Sequence, residues 1–221
     1  MNIVCIDTSW ASITITAQGK EGIFTSIFTP SKARHSAILI PALEKAVKEA
    51  GFSVNETDIL VCPQGPGGFT GLRLAYSTAK AIQLQTNAQF FCVSILQALC
   101  HKYGEESQFL SIIDAKRDCF YVQAFKNKKP VSEALDISAQ EALKLIDKDK
   151  KTIICGFGTK KFKEDMAKED MAFKSDNFTF MEADKEISSK ILLDCFTAGQ
   201  NCIKVEDHEG PVYIRKSDAE Y

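Results

Sequence analysis

Residues 2–29 read N-I-V-C-I-D-T-S-W-A-S-I-T-I-T-A-Q-G-K-E-G-I-F-T-S-I-F-T, and the order of the fold is decided there. Residues 2–7 form a short apolar run that closes on Asp7. Residues 12–18 alternate polar and apolar side chains and put Ile13, Ile15 and Ala17 on one face. Both segments read as strands. Gly19-Lys20-Glu21-Gly22 has the composition of a turn, and residues 23–29 are rich in β-branched and aromatic side chains. A third strand is therefore expected to pair back onto the second.

Working outward, a helix is expected over 36–50, stopped by Gly51 where a left-handed cap residue is wanted. A strand over 58–62, a Gly/Pro loop, a helix over 70–85, a strand over 89–94 and a helix ending near Gly104 complete the order βββαβαβα. The same order recurs beyond Gly104, with strands over 108–114, 118–125 and 131–137. Ser138 and Glu141 then form a capping box for a helix. A strand over 152–156, a charged helical stretch over 159–168, a strand over 178–182 and a helix over 187–204 follow. The charged residues of 160–174 read as a solvated helix and loop.

This duplication predicts an α/β protein of two ribonuclease-H-like domains, the architecture of actin, the large heat-shock chaperones and the sugar kinases. The expected division is an actin-like domain over 1–104 and a smaller, more divergent one over 105–221, with the helix over 187–204 free to pack back on the first. Such an architecture does not fix function.

A chain of 221 residues buries enough apolar surface to fold without staples. Its 27 basic and 29 acidic side chains are spread along the sequence, so it lacks the basic footprint of a domain that binds nucleic acid unaided. None of the eight cysteines makes a C-x-x-C pair, and Cys5, Cys62, Cys92 and Cys155 sit in short apolar runs, which points to buried free thiols. No basic flank precedes the first apolar run, and no stretch is apolar for long enough to span a bilayer. The expectation is a soluble cytoplasmic protein without a membrane contact.

The segment Pro63-Gln64-Gly65-Pro66-Gly67-Gly68-Phe69-Thr70-Gly71-Leu72-Arg73 lies between an expected strand and helix. Such a loop can present backbone N–H groups to an anion. It is not a Walker loop, because no Gly-Lys-Ser/Thr follows, and G-x-G-x-x-G fails at Thr70. The glycines are expected to serve a sharp turn and close helix approach, with Thr70 capping the helix. Asp7, Gly65, Gly67 and Gly68 remain the weak candidates for holding a nucleotide. The helix over 70–85 carries one apolar row at Leu72, Ala75, Tyr76, Ala79 and Ile82 and a second at Leu74, Thr78, Ala81 and Leu84, whereas a helix on a sheet needs one stripe. The helix over 36–50 is also apolar on more than one side. Contiguous surplus of this kind marks a partner surface, here assigned to His35, Leu39, Leu43, Val47, Thr70, Leu74, Thr78 and Ala81.

Four segments, Ile6-Asp7-Thr8-Ser9, His35-Ser36-Ala37-Ile38-Leu39-Ile40-Pro41, residues 65–73 and Ile113-Asp114-Ala115-Lys116-Arg117-Asp118, together with the ending Gly210-Pro211-Val212-Tyr213-Ile214-Arg215, resemble the TsaB (YeaZ) family. The resemblance implies a non-catalytic subunit of the bacterial machinery that makes threonylcarbamoyladenosine in tRNA. Its catalytic paralogue TsaD transfers the threonylcarbamoyl group to the adenosine next to the anticodon. The family pairs with TsaD through the helices flanking the Gly-rich loop, TsaE joins, and a homodimer forms when TsaD is absent. It implies tRNA contact only through the complex, no catalytic residue, no cofactor in the isolated chain, and any nucleotide at the complex interface. The sequence departs from the family at Gly68, where many members have Ser, and its second domain matches loosely.

The paralogue's metal site needs two histidines one helical turn apart, but His35 is followed at i+4 by Leu39. His101 and His208 stand alone, and H-E-x-x-H is missing, so no metal site and no glycoprotease constellation is expected. Asp114 and Asp118 with Lys116 and Arg117 read as a structural ion-pair cluster. The competing reading is a free-standing actin-like ATPase or sugar kinase. It needs a phosphate motif in each half, and Cys155-Gly156-Phe157-Gly158-Thr159 is the one candidate in the second. ATP binding by the purified chain separates the two readings.

Overall fold

A computed structural model describes residues 1–10, 12–29, 35–167, 175–184 and 188–215. In chain order the first half holds β1 (Ile3–Asp7), β2 (Ile13–Gly19), β3 (Gly22–Phe28), α1 (His35–Glu49), β4 (Ile59–Gly65), α2 (Phe69–Thr86), β5 (Gln89–Ser94) and α3 (Ile95–Tyr103). The second half holds β6 (Gln108–Asp114), β7 (Phe120–Lys126), β8 (Lys129–Pro130), β9 (Leu135–Ile137), α4 (Ala139–Ala142), β10 (Thr152–Phe157), α5 (Thr159–Ala167), β11 (Phe178–Glu182), α6 (Ser188–Thr197) and β12 (Cys202–Lys204). The chain divides into one unit of residues 1–95 and 185–213 and another of residues 96–184 and 214–221.

In the first unit β1, β2 and β3 form an antiparallel meander, and β4 and β5 continue the sheet parallel to β1. The strand order is β12-β5-β4-β1-β2-β3. The second unit repeats this plan as β11-β10-β6-β7-β8, with β9 also on β7. Both sheets therefore carry the ribonuclease-H-like order, and the fold is a duplicated α/β architecture. The alternation in β2 works on two faces at once. Ile13, Ile15 and Ala17 enter the core beneath α1, together with Leu39, Leu43 and Val47. Thr14 and Thr16 face α6, where their hydroxyls pair with those of Ser188 and Ser189 at 2.8 Å each. A buried row of hydroxyls is tolerable only because each has a partner.

The second core gathers Leu110, Ile112, Val122, Ile154, Phe162 and Met166, with Phe120 set edge-on to Phe162 at 4.9 Å. The capping box at Ser138 and Glu141 is formed, but α4 lasts one turn. Of the strand expected over 131–137 only the end forms β9, and the short β8 precedes it at Lys129–Pro130. Pro130 ends β8, and Ser132 Oγ, rather than a backbone carbonyl, accepts the Ala124 N–H. The helix expected over 187–204 ends at Thr197, because Gly199 and Asn201 take left-handed φ of 64° and 56° and turn the chain into β12, antiparallel to β5.

Six cysteines are buried, with Cys119 and Cys202 half-buried. Burial pushes the Cys155 and Cys195 thiols up to about 12, so both are protonated at neutral pH. No helix among the described residues is long and apolar enough to cross a membrane.

Candidate functional site

The Gly-rich loop folds against its own chain. The Gly68 N–H donates to the Ser9 carbonyl at 2.9 Å, and the Thr8 hydroxyl donates to the Gly71 carbonyl at 2.6 Å. A Cβ on Gly71 would lie 1.9 Å from the Thr8 carbonyl oxygen, and one on Gly67 would lie 2.6 Å from Ser9 Cβ. Gly65 takes a φ of 126°, and a side chain there would meet the Val212 carbonyl at 2.5 Å. The close approach that the glycines permit is thus to the 8–9 segment and to the chain near Val212, not between two helices. Thr70 does not cap α2. The N-cap is Gly68, which has no side chain to offer.

Asp7 is fully buried at the end of β1. Its Oδ1 accepts the Ser9 N–H at 2.8 Å and the Ser9 hydroxyl at 2.5 Å, and its Oδ2 accepts the Trp10 indole N–H at 3.2 Å. Burial raises its pKa above the usual carboxylate value, against the pull of these donors and of Ser188. The structure brings Asp7 and the glycines together on either side of Ser9, and both carboxylate oxygens are taken up locally.

In the second unit the G-x-G candidate holds an anion of its own. Glu182, at the end of β11, accepts the Gly158 N–H through Oε1 at 2.9 Å and the Thr159 N–H through Oε2 at 2.8 Å. The carboxylate sits at the N-terminus of α5, where a free phosphate would otherwise be welcome. Nearby, Lys116 and Lys161 pair with Asp114 at 3.0 and 3.7 Å, and Lys161 also reaches Asp118 at 3.4 Å. The acids and the two lysines form an ion-pair cluster.

The expected partner surface divides. Leu39, Leu43 and Val47 are 1–2% exposed and belong to the first core, so they have no surface left to offer a partner. α1 lies on β2 and β3, and that contact consumes the row. The side chain of His35 lies outside the described residues. On α2, Thr70 and Ala81 are exposed, and Leu74 and Thr78 are half-buried, with Leu74 packed against the core. Two exposed apolar side chains complete the surface: Leu84, 86% exposed, and Ile40 on α1, 48% exposed. Between the helices runs an open groove of about 350 Å³ lined by Ile40, Val54, Thr78, Ala81 and Ile82.

The segment after β12 straps the other flank of α2. Lys80 donates to the carbonyls of Asp207 and Glu209, both at 2.6 Å. The Arg73 guanidinium stacks 3.8 Å over Phe69 and donates to the Tyr213 hydroxyl at 3.2 Å. Among the described residues, the face of α2 bearing Thr70, Ala81 and Leu84 stays open.

Residues 22–207 match the family model described as TsaD, tRNA N6-adenosine threonylcarbamoyltransferase. The chain belongs to this family, in its TsaB (YeaZ) branch. A relative in Bacillus subtilis, named tRNA threonylcarbamoyladenosine biosynthesis protein TsaB, is 24% identical over 170 residues, 74% of each chain. Two solved structures from Pseudomonas aeruginosa share the fold at 18% identity. One, described as similar to peptidase YeaZ, has a TM-score of 0.75 and covers 97% of this chain and 99% of its own. The other, YeaZ, has a TM-score of 0.72 and covers 96% and 99%. Among the described residues of this TsaB-branch chain, no group of three or more His, Cys, Asp or Glu is placed to hold a metal ion.

Proposed function

We propose that the chain acts in the biosynthesis of threonylcarbamoyladenosine in tRNA as a non-catalytic subunit that binds and activates TsaD, with TsaE joining the pair. The observation that carries this reading is the uncovered face of α2, which bears the exposed Leu84, beside a mainly apolar groove lined by Ile40 of α1 and by Thr78, Ala81 and Ile82. The small side chains of Ala81 and Thr78 let a partner helix come close, as in a four-helix bundle between subunits. The same face serves a second copy when TsaD is absent, so the two pairings compete. Asp7 and Glu182 support a non-catalytic role, since each spends its acceptor capacity on its own chain.

The test is sedimentation and pull-down with TsaD and TsaE, using the parent and Leu84→Arg. Leu84 is so exposed that the variant keeps its fold, while a buried unpaired charge at the interface weakens TsaD binding at least about tenfold. Unchanged affinity in a folded variant places the partner elsewhere. Steady ATP turnover by the lone chain, lost in Asp7→Ala, establishes the kinase-like reading instead.

A further inference from the structure

Among the described residues no strand lies beside the outer edge of β3, and its seven residues, Gly22–Phe28, carry no charge. Sheets ordinarily guard such an edge with lysines, prolines or bulges. β3 has none of these, and its register with β2 is unbroken. That register shows which backbone groups face outward. Lys20 and Glu21 form a two-residue loop, so Gly19 and Gly22 are the closing hydrogen-bonded pair, and every second residue repeats that role. Phe24, Ser26 and Phe28 turn their N–H and C=O groups toward β2. Ile23, Thr25 and Ile27 turn theirs to the open edge.

The side chains of these three residues also share the face that α1 leaves bare. Ile23 is 47% and Ile27 41% exposed, and the Thr25 hydroxyl is held 2.9 Å from that of Thr16. The sequence is symmetric about Thr25, with an isoleucine two residues before it and another two residues after. An antiparallel partner of the same sequence, with a two-fold axis at Thr25, sets Thr25 opposite itself and Ile23 opposite Ile27 twice. All three outward positions then become hydrogen-bonded pairs at once. A one-residue slip would turn the backbone groups away and break the isoleucine ribbon.

We propose that the open edge of β3 pairs with β3 of a second copy of this chain, joining the two first-unit sheets into one. A seven-residue edge is smaller than a standard interface, so the association is weak and concentration-dependent. It is independent of the α2 face. α1 rests on β2 and β3 while α2 rests on β4, so a pair joined at β3 keeps both α2 faces free for partners.

The test is sedimentation of the full chain over a concentration series, with hydrogen–deuterium exchange of the 22–28 amides. The variants are Ile23→Lys, the milder Ile27→Thr and Leu84→Arg, each checked for folding by circular dichroism. The expected result is protection of the Ile23, Thr25 and Ile27 amides that grows with concentration, those of Phe24, Ser26 and Phe28 being held by β2 throughout. Ile23→Lys, counted twice in a two-fold pair, weakens self-association about tenfold, Ile27→Thr weakens it less, and Leu84→Arg keeps the protection. Fast exchange of the Ile23, Thr25 and Ile27 amides at every concentration overturns the proposal. So does self-association that survives Ile23→Lys but is lost in Leu84→Arg, an outcome that leaves the α2 reading standing.

Discussion

Glu182 Oε2 accepts both the N–H of Thr159, at 2.8 Å, and its hydroxyl, at 2.6 Å, so an acid from the end of β11 caps α5 from 23 residues away. Replacing it with Ala leaves the first N–H groups of α5 to water and removes a favourable charge from the positive end of the helix dipole. The expected cost is about 1–2 kcal/mol, seen as a lower melting temperature. Glu182→Gln, which keeps an acceptor oxygen without the charge, should fall between the parent and Glu182→Ala. Equal melting temperatures for all three would mean that the cap contributes nothing.

Asp7 gives a pH dependence with a definite sign. Its pKa is raised in the folded chain, because burial penalises the carboxylate more than Ser9, Ser188 and Trp10 relieve it. The native state therefore holds the proton more tightly than the unfolded chain, and this contribution to stability falls as pH rises from the ordinary 3.8 toward the raised value. Asp7→Asn lacks the titration. Its stability relative to the parent should climb with pH across that window, as measured by urea unfolding at a series of pH values. A difference that stays flat there would remove Asp7 as the source.

Gly71→Ala forces a methyl group to within 1.9 Å of the Thr8 carbonyl oxygen. Backbone cannot yield as a flexible side chain would, so α2 must lift from the end of β1 and release the Thr8 hydroxyl bond. The expected loss is about 3 kcal/mol or more, and the proposed function adds weaker TsaD binding as α2 moves. A variant with parental stability would show that the helix can slide freely.

Lys80→Met should free the strap without unfolding the unit. Lys80 gives charge-assisted bonds to two carbonyls, and the methionine keeps the bulk while donating nothing. The amides of 206–210 and Val212 should exchange faster and limited proteolysis should begin there, with the melting temperature little changed. Unaltered protection of that segment would assign the anchoring to Val205 and Tyr213 instead.

The opening meander was legible because alternation in 12–18 and the turn at 19–22 are local signals, and β2 and β3 pair across that turn. The second apolar row of α2 does reach the surface, whereas the α1 row does not. Periodicity shows that a helix has apolar rows, but only tertiary packing decides which row meets the sheet. The α1 row with Leu39, Leu43 and Val47 turned inward, leaving Ile40 outside. Glu182 gave no local sign of its role, since its partners stand 23 and 24 residues earlier. Gly68 as the helix cap was hidden by Thr70, whose hydroxyl made it the better candidate on type alone.

The return of α6 to the first unit sets the timetable of biosynthesis. Thr14 and Thr16 wait for Ser188 and Ser189, 174 and 173 residues downstream, before their hydroxyls are covered. At ribosomal speeds that interval is on the order of ten seconds or more, during which the first unit has strands but only one of its two coverings. The sheet and core of the second unit, encoded in between, can close first, because they are drawn from contiguous chain. Nascent chains stalled before α6 emerges should thus be protease-resistant over 108–157 and still sensitive over 12–28. The sheet that begins the sequence is the last to be covered.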